Sequence, residues 1–121
     1  MALAEVFSEQ RRPKEGFWDL PLVASRITDL EMRTRAAAIG QLQANAAVLD
    51  AISSAITFAD IGRKNLELLY SGRTGALRTL DAIHLATLDF FNREIDETQL
   101  ATYDRRLAAA AEAMGFEVLA P

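Results

Sequence analysis

Apolar runs alternate with helical patterns along the chain, and their order predicts strands that are followed by helices. The run from Leu22 to Ala24 is consistent with a short buried strand. Thr28 and Glu31 have the spacing of a capping box, so we expect a helix to begin near Thr28 and to reach Gly40. Ala46 to Ser54 predicts the next helix.

The second half of the chain shows the same alternation. The stretch “RKNLELLYSG” predicts a helix that ends at Gly72. Thr79 is expected to cap the helix of “LDAIHLATLDFF”, whose apolar residues lie on more than one side, as in a centrally packed helix. The other predicted elements are an extended or irregular segment “AITFADI”, a strand “QLATY”, a helix “DRRLAAAAEAMG” and a last strand “FEVLA”. This order predicts an α/β domain with a mostly parallel sheet.

Length and composition narrow the classes of protein that fit. A chain of 121 residues that is 50% hydrophobic can bury one core, so we expect a single domain over residues 1–121. The absence of cysteine suits a reducing compartment, and cytoplasm is the expected location. The longest stretch without charge, Ala36 to Leu49, contains glutamine and asparagine, so no membrane span is predicted. A net charge of −4 argues against a large basic surface for nucleic acid.

Three acids occupy comparable positions near predicted helix starts. Asp104 comes directly after the apolar strand “LATY”, Glu31 lies in the first turn of the helix after Leu22 to Ala24, and Asp81 lies in the first turn of its own helix. If these helix starts converge, the carboxylates share one cleft at the edge of the sheet. Hard divalent cations prefer such oxygen ligands, so the pattern favours a Mg²⁺ or Mn²⁺ site.

Each acid also has a purely structural interpretation. Glu31 can complete a capping box, Asp104 is a common N-cap residue, and Asp81 in a first turn is favoured by the helix dipole. His84 could join Asp81 as a ligand at i+3, but a lone histidine among apolar neighbours is typical of a packing residue, and we place it outside the site. Arginines near the acids are interpreted as solvated helix faces. With one histidine and no cysteine, covalent hydrolase chemistry is not indicated.

Three segments resemble PIN-domain proteins, and specifically the VapC-type toxins of bacterial toxin–antitoxin pairs. They are “LVASRITDLEMRTR”, “LRTLDAIHLATL” and “LATYDRRLAAAAEAMGFEVLAP”. The resemblance implies a PIN-like three-layer α/β/α fold. Glu31 matches the acid of the family's S-R-x-x-x-x-E block, Asp81 that of L-D-A-x-H-L-A, and Asp104 that of T-Y-D. Family members use these acids to hold Mg²⁺ or Mn²⁺ for RNA hydrolysis, and the resemblance further implies a VapB-like antitoxin and a homodimer.

The beginning of the sequence departs from the family pattern. Such proteins typically open with a strand that ends in an aspartate, and this sequence shows neither. “MALAEVF” resembles the family's segment immediately after that strand, and the helix predicted over Met1 to Gln10 has no N-cap. We therefore expect that the natural protein begins upstream with this strand and its aspartate. The alternative is a catalytically incomplete PIN-like module that acts by binding an antitoxin or a second copy of itself.

Overall fold

The computed structural model describes residues 14–119 and 121, and within them it contains five α-helices and four short strands. The helix predicted over Met1 to Gln10 lies outside these residues, and the assignment of 1–121 to one domain stays a prediction. The strands are β1 (Leu22–Ser25), β2 (Ile56–Ala59), β3 (Leu100–Ala101) and β4 (Val118–Leu119). The helices are α1 (Arg26–Ala38), α2 (Ala46–Ser54), α3 (Glu67–Tyr70), α4 (Thr79–Glu94) and α5 (Arg105–Ala113).

The strands pair in parallel, which confirms the predicted α/β class. Strand β1 pairs with β2, with Ser25 opposite Ala59, and β3 pairs with β4, with Leu100 opposite Val118. Helices connect the members of each pair, as parallel strands require. Within the described residues these are two separate pairs and not one continuous sheet. The strands β3 and β4 are only two residues long, so each has little backbone to offer a further neighbour.

Two predicted helix caps are wrong by a few residues. Helix α1 begins at Arg26 and not near Thr28, and its N-cap is Ser25, whose side chain accepts a hydrogen bond from the Ile27 amide at 3.3 Å. The chain passes directly from β1 into this helix, so the residue at the junction takes the cap. Similarly, Thr79 is the first residue of α4, and the extended Arg78 precedes it as N-cap without a side-chain bond.

The described core consists of two clusters of buried side chains. One joins α3, α4 and α5, with Leu85 and Ala86 of α4 fully buried at its centre. The other joins α1 and α2 and contains the fully buried Met32 and Leu49. Helix α4 also packs against β1, so it contacts both halves of the described chain. None of the described helices has the length and apolar character needed to cross a membrane.

A network around Arg33 holds α1 against α2. The Arg33 guanidinium donates to Asp29 at 3.1 Å, to Asp50 at 3.0 Å and to Ser53 at 3.3 Å. The hydrogen bond to Asp50 is the largest cause of the raised pKa of Arg33. Arg33 is therefore charged at physiological pH, and its hydrogen bonds to Asp50 and Ser53 link α1 to α2.

We expect Leu85→Ala to lower the free energy of unfolding by about 2 to 5 kcal/mol, because it leaves a cavity at a fully buried position. Leu80→Ala is the matched control on the same helix, since Leu80 is 43% exposed and should cost less than about 1 kcal/mol. Urea unfolding followed by circular dichroism measures both. Equal losses for the two variants would contradict the central packing of α4.

Candidate active site

Glu31 of α1 and His84 of α4 are brought together from positions 53 residues apart. The Nε2 atom of His84 lies 2.9 Å from Oε1 of Glu31. Both side chains are partly buried, with 29% of Glu31 and 23% of His84 exposed. The adjacent Met32 is fully buried in the α1–α2 cluster, which fixes the orientation of α1 about its axis. A partly desolvated carboxylate and an imidazole therefore meet between α1 and α4.

Asp81 lies on α4, three residues before His84 and one helical turn away. Residues with this spacing are neighbours on the surface of a helix, so Asp81 and His84 share a face. The Asp81 side chain is 16% exposed, and Arg78 contacts its Oδ2 through Nε at 3.3 Å. Its place in the first turn is also favoured by the helix dipole. Glu31 thus contacts, at His84, the helix that carries Asp81.

Asp104 serves as the N-cap of α5, as its position in the sequence predicts. Its Oδ1 accepts hydrogen bonds from the amides of Arg106 at 2.8 Å and Leu107 at 3.1 Å. Its own amide donates to Oγ1 of Thr102 at 3.0 Å. Among residues 14–119 and 121, no group of three or more acids and histidines lies close enough together to hold a metal ion. The structure therefore connects Glu31 with the helix of Asp81 but does not bring Asp104 into the same group.

Among the described residues, the donor atoms suit a divalent cation, whereas their arrangement does not form a site for one. Glu31 and Asp81 supply hard carboxylate oxygens, the ligand type that Mg²⁺ and Mn²⁺ prefer. In the described part of the chain, Oε1 of Glu31 is bonded to His84, and no hydrogen bond to Oε2 is seen. That second oxygen is chemically suited to a cation. Glu31 and Asp81 therefore carry suitable donor atoms, but among residues 14–119 and 121 they form no group that could hold the ion.

The sequence interpretation placed His84 outside the site as a packing residue, and the structure adds its hydrogen bond to Glu31. Its spacing of three from Asp81 was visible, and it is the single histidine of the chain. Its partner Glu31, however, lies 53 residues away, and no local pattern reports such a contact. The carboxylate of Glu31 explains why an imidazole is tolerated among the apolar residues of α4, since a buried polar group needs a hydrogen-bond partner.

A second concave region lies away from the three acids. This open cavity of about 490 Å³ contains none of them in its lining, and the Arg26 guanidinium lies 4.7 Å from the centre of the Phe58 ring there. The lining residues are Arg26, Asp50, Ser53, Ser54, Ile56 and Phe58. This cavity therefore does not coincide with the three candidate acids.

Comparison with known proteins gives a partial match to two ribonucleases. Ribonuclease VapC35 of Mycobacterium tuberculosis, in strains H37Rv and CDC 1551, is 54% identical over 46 residues, which is 38% of this chain and 34% of that protein. Ribonuclease VapC46 of strain H37Rv is 51% identical over 45 residues, 37% of this chain and 33% of that protein. The matched segment thus spans about a third of the length of these relatives. Neither a family model nor a solved structure matches the chain.

The parallel strand pairs and five packed helices of the described residues define a mixed α/β protein, compatible with a PIN-like α/β/α fold. The matched segment is similar to part of these VapC ribonucleases, and this similarity agrees with the resemblance carried by the sequence blocks.

Asp104→Ala should lower the free energy of unfolding by about 1 kcal/mol, because two amides of α5 lose their acceptor. Asp104→Asn should have a free energy of unfolding within about 0.5 kcal/mol of the wild-type value, because asparagine and aspartate cap helices about equally well. Chemical unfolding of both variants measures the difference. An alanine variant as stable as the asparagine variant would contradict the capping role.

Proposed function

We propose that this chain is a metal-dependent ribonuclease that hydrolyses RNA phosphodiesters, the toxin component of a type II toxin–antitoxin pair. The observation that carries this proposal is the contact of Glu31 with His84, since it brings one predicted acid onto the helix that carries another. The names of VapC35 and VapC46 support the ribonuclease activity. The sequence blocks around Glu31, Asp81 and Asp104 support the choice of residues.

In this proposal Glu31 and Asp81 hold Mg²⁺ or Mn²⁺, and Asp104 is the third acid. A bound cation of this kind supplies an activated water and neutralises charge on the phosphate. Both hydrogen bonds from the α5 amides fall on Oδ1 of Asp104, which leaves Oδ2 as the oxygen suited to a ligand role. Partial burial of the Asp81 side chain strengthens its interaction with any positive charge nearby.

Arg78 has the properties of an RNA-binding residue at this site. Its side chain is 68% exposed, and Nε is engaged with Asp81, so the two terminal nitrogens of the guanidinium remain positioned to meet a phosphate. Local positive charge of this kind matters because the chain has a net charge of −4. Binding of RNA then depends on Arg78 and on bound cations more than on the overall field of the protein.

One observation favours the second candidate function, a catalytically incomplete module that binds an antitoxin or a second copy of the chain. It is the absence of a three-acid group within residues 14–119 and 121. The VapB-like antitoxin, the homodimer and the cytoplasmic location stay predictions for both candidates. RNA cleavage that depends on a cation separates the two.

Asp81→Asn should reduce Mg²⁺- or Mn²⁺-dependent cleavage of RNA by roughly a hundredfold or more, because it removes one negative ligand. Asp89→Asn is the matched control, since Asp89 lies on the same helix, is also 16% exposed and also pairs with an arginine. A fluorescence-quenched RNA substrate measures the rates. Equal rates for Asp81→Asn and Asp89→Asn would contradict the role of Asp81, and no cation-dependent cleavage by the wild type would favour the binding module.

A further inference from the structure

We propose that the open cavity lined by residues of α1, α2 and β2 is a subsite for a guanine base of the RNA substrate. The subsite rests on the proposed function for the identity of the polymer, and it is separate from the acids. The cavity has a volume of about 490 Å³ and contains none of the three candidate acids in its lining. Small-molecule sites typically measure roughly 300 to 1,000 Å³, so the space is sufficient for a nucleobase.

Arg26 and Phe58 give the cavity a surface on which a flat ring can stack. The Arg26 guanidinium lies 4.7 Å from the centre of the Phe58 ring, and both residues line the cavity. The Arg26 side chain is nevertheless 54% exposed, and its ion pair with Asp60, at 3.8 Å, is weak because Asp60 is 91% exposed. Proteins that bind unpaired RNA commonly stack bases on aromatic side chains and on the planes of arginine guanidinium groups.

Helix α2 supplies hydrogen-bond acceptors to the same cavity. Oδ1 of Asp50 accepts a hydrogen bond from Arg33 at 3.0 Å, and no hydrogen bond to Oδ2 is seen among the described residues. The Asp50 side chain is 69% exposed, so this carboxylate can reach a ligand. Oγ of Ser54 donates its proton to the carbonyl of Asp50 at 2.8 Å and can only accept from a ligand. The lining therefore combines a stacking cation with acceptors.

These acceptors favour guanine over the other three bases. Guanine carries adjacent N–H donors at N1 and N2, and both can meet one carboxylate, whose oxygens accept more than one hydrogen bond each. Adenine and cytosine have an acceptor nitrogen beside the amine, and uracil has its donor between two carbonyl groups. Each of these bases would place a lone pair against Asp50. A phosphate group is disfavoured as well, because it would bring a second negative charge close to that carboxylate.

The position of the cavity in the fold also suits a ligand. Arg26 directly follows β1, and Phe58 lies one residue before the end of β2. Ligands of open α/β sheets commonly bind beyond the carboxyl ends of parallel strands. Because RNA is a polymer, a base can be held here while another part of the strand is cut. The subsite would therefore set a preference for guanine at some distance from the cleaved bond.

The test is an NMR titration of the isotopically labelled full chain with free nucleotides, so it does not depend on RNA cleavage. Guanosine monophosphate should shift the amide signals of the residues that line the cavity. It should bind about tenfold more tightly than inosine monophosphate, which lacks only the N2 amine and so loses one hydrogen bond to a charged group. Ribose 5-phosphate controls for binding through the phosphate and should not shift these signals.

Two variants and a matched control assign the binding. Asp50→Asn keeps an acceptor for Arg33 but replaces one carboxylate oxygen with a donor, so guanosine monophosphate should bind about tenfold more weakly and lose its advantage over inosine monophosphate. Arg26→Lys keeps the charge but removes the planar group, so both nucleotides should bind about fivefold more weakly. Arg35→Lys makes the same exchange at an exposed residue of α1 outside the cavity and should leave both affinities unchanged.

The outcomes separate the subsite from the proposed function. Equal affinities of the wild type for the two nucleotides, or wild-type affinities in Asp50→Asn and Arg26→Lys, would overturn the subsite. Shifts of the same signals by ribose 5-phosphate would show that the cavity binds phosphate instead. A chain that cleaves RNA but shows no shift at the cavity with guanosine monophosphate would also overturn it. Selective binding of guanosine monophosphate by a chain that cleaves no RNA would support the subsite and contradict the proposed function alone.

Discussion

Burial of helix α4 is the constraint on which the rest of the described structure depends. Its residues Leu85, Ala86 and Leu88 form the centre of the cluster that also contains parts of α3 and α5, and the same helix packs against β1. Apolar burial of this kind is the main favourable term in folding, and it is sensitive to the rotation of a helix about its axis. Once α4 is packed, the directions of its polar side chains are determined as well.

That packing decides where the candidate chemistry lies. Asp81 and His84 emerge from one face of α4, and His84 reaches Glu31 on α1, so a polar contact forms between elements that belong to different core clusters. Such a contact in a partly desolvated region is stronger than one in water, and it is costly to leave either partner unpaired. The hydrogen bond therefore helps to fix α1 relative to α4 and, in the proposed function, to arrange the acids.

Local sequence signals predicted part of this arrangement well. The helix from Ala46 to Ser54 has the predicted bounds, and Asp104 caps α5, because both features depend on residues close in sequence. The caps at Thr28 and Thr79 were predicted wrongly, since Ser25 and Arg78 stand at the junctions where the backbone is still extended. Capping motifs are frequent, and the preceding chain decides which of them is used.

The local sequence patterns did not predict which strands pair or which distant side chains make contact. The division of the strands into two pairs depends on which backbones meet, and two-residue strands such as β3 leave almost no periodic signal. The contact between Glu31 and His84 is also long-range. The two residues are 53 positions apart, so the sequence does not show that their side chains meet. The positions of the three acids near predicted helix starts, together with the resemblance to VapC-type proteins, predicted their metal-binding role, whereas the contact between His84 and Glu31 became visible only in the structure.

The most direct test of this account is an anomalous difference map from crystals of the full chain grown with Mn²⁺. The account predicts a peak beside the carboxylates of Glu31 and Asp81, with His84 still hydrogen-bonded to Glu31. A peak bound elsewhere, or none at saturating Mn²⁺, would contradict it.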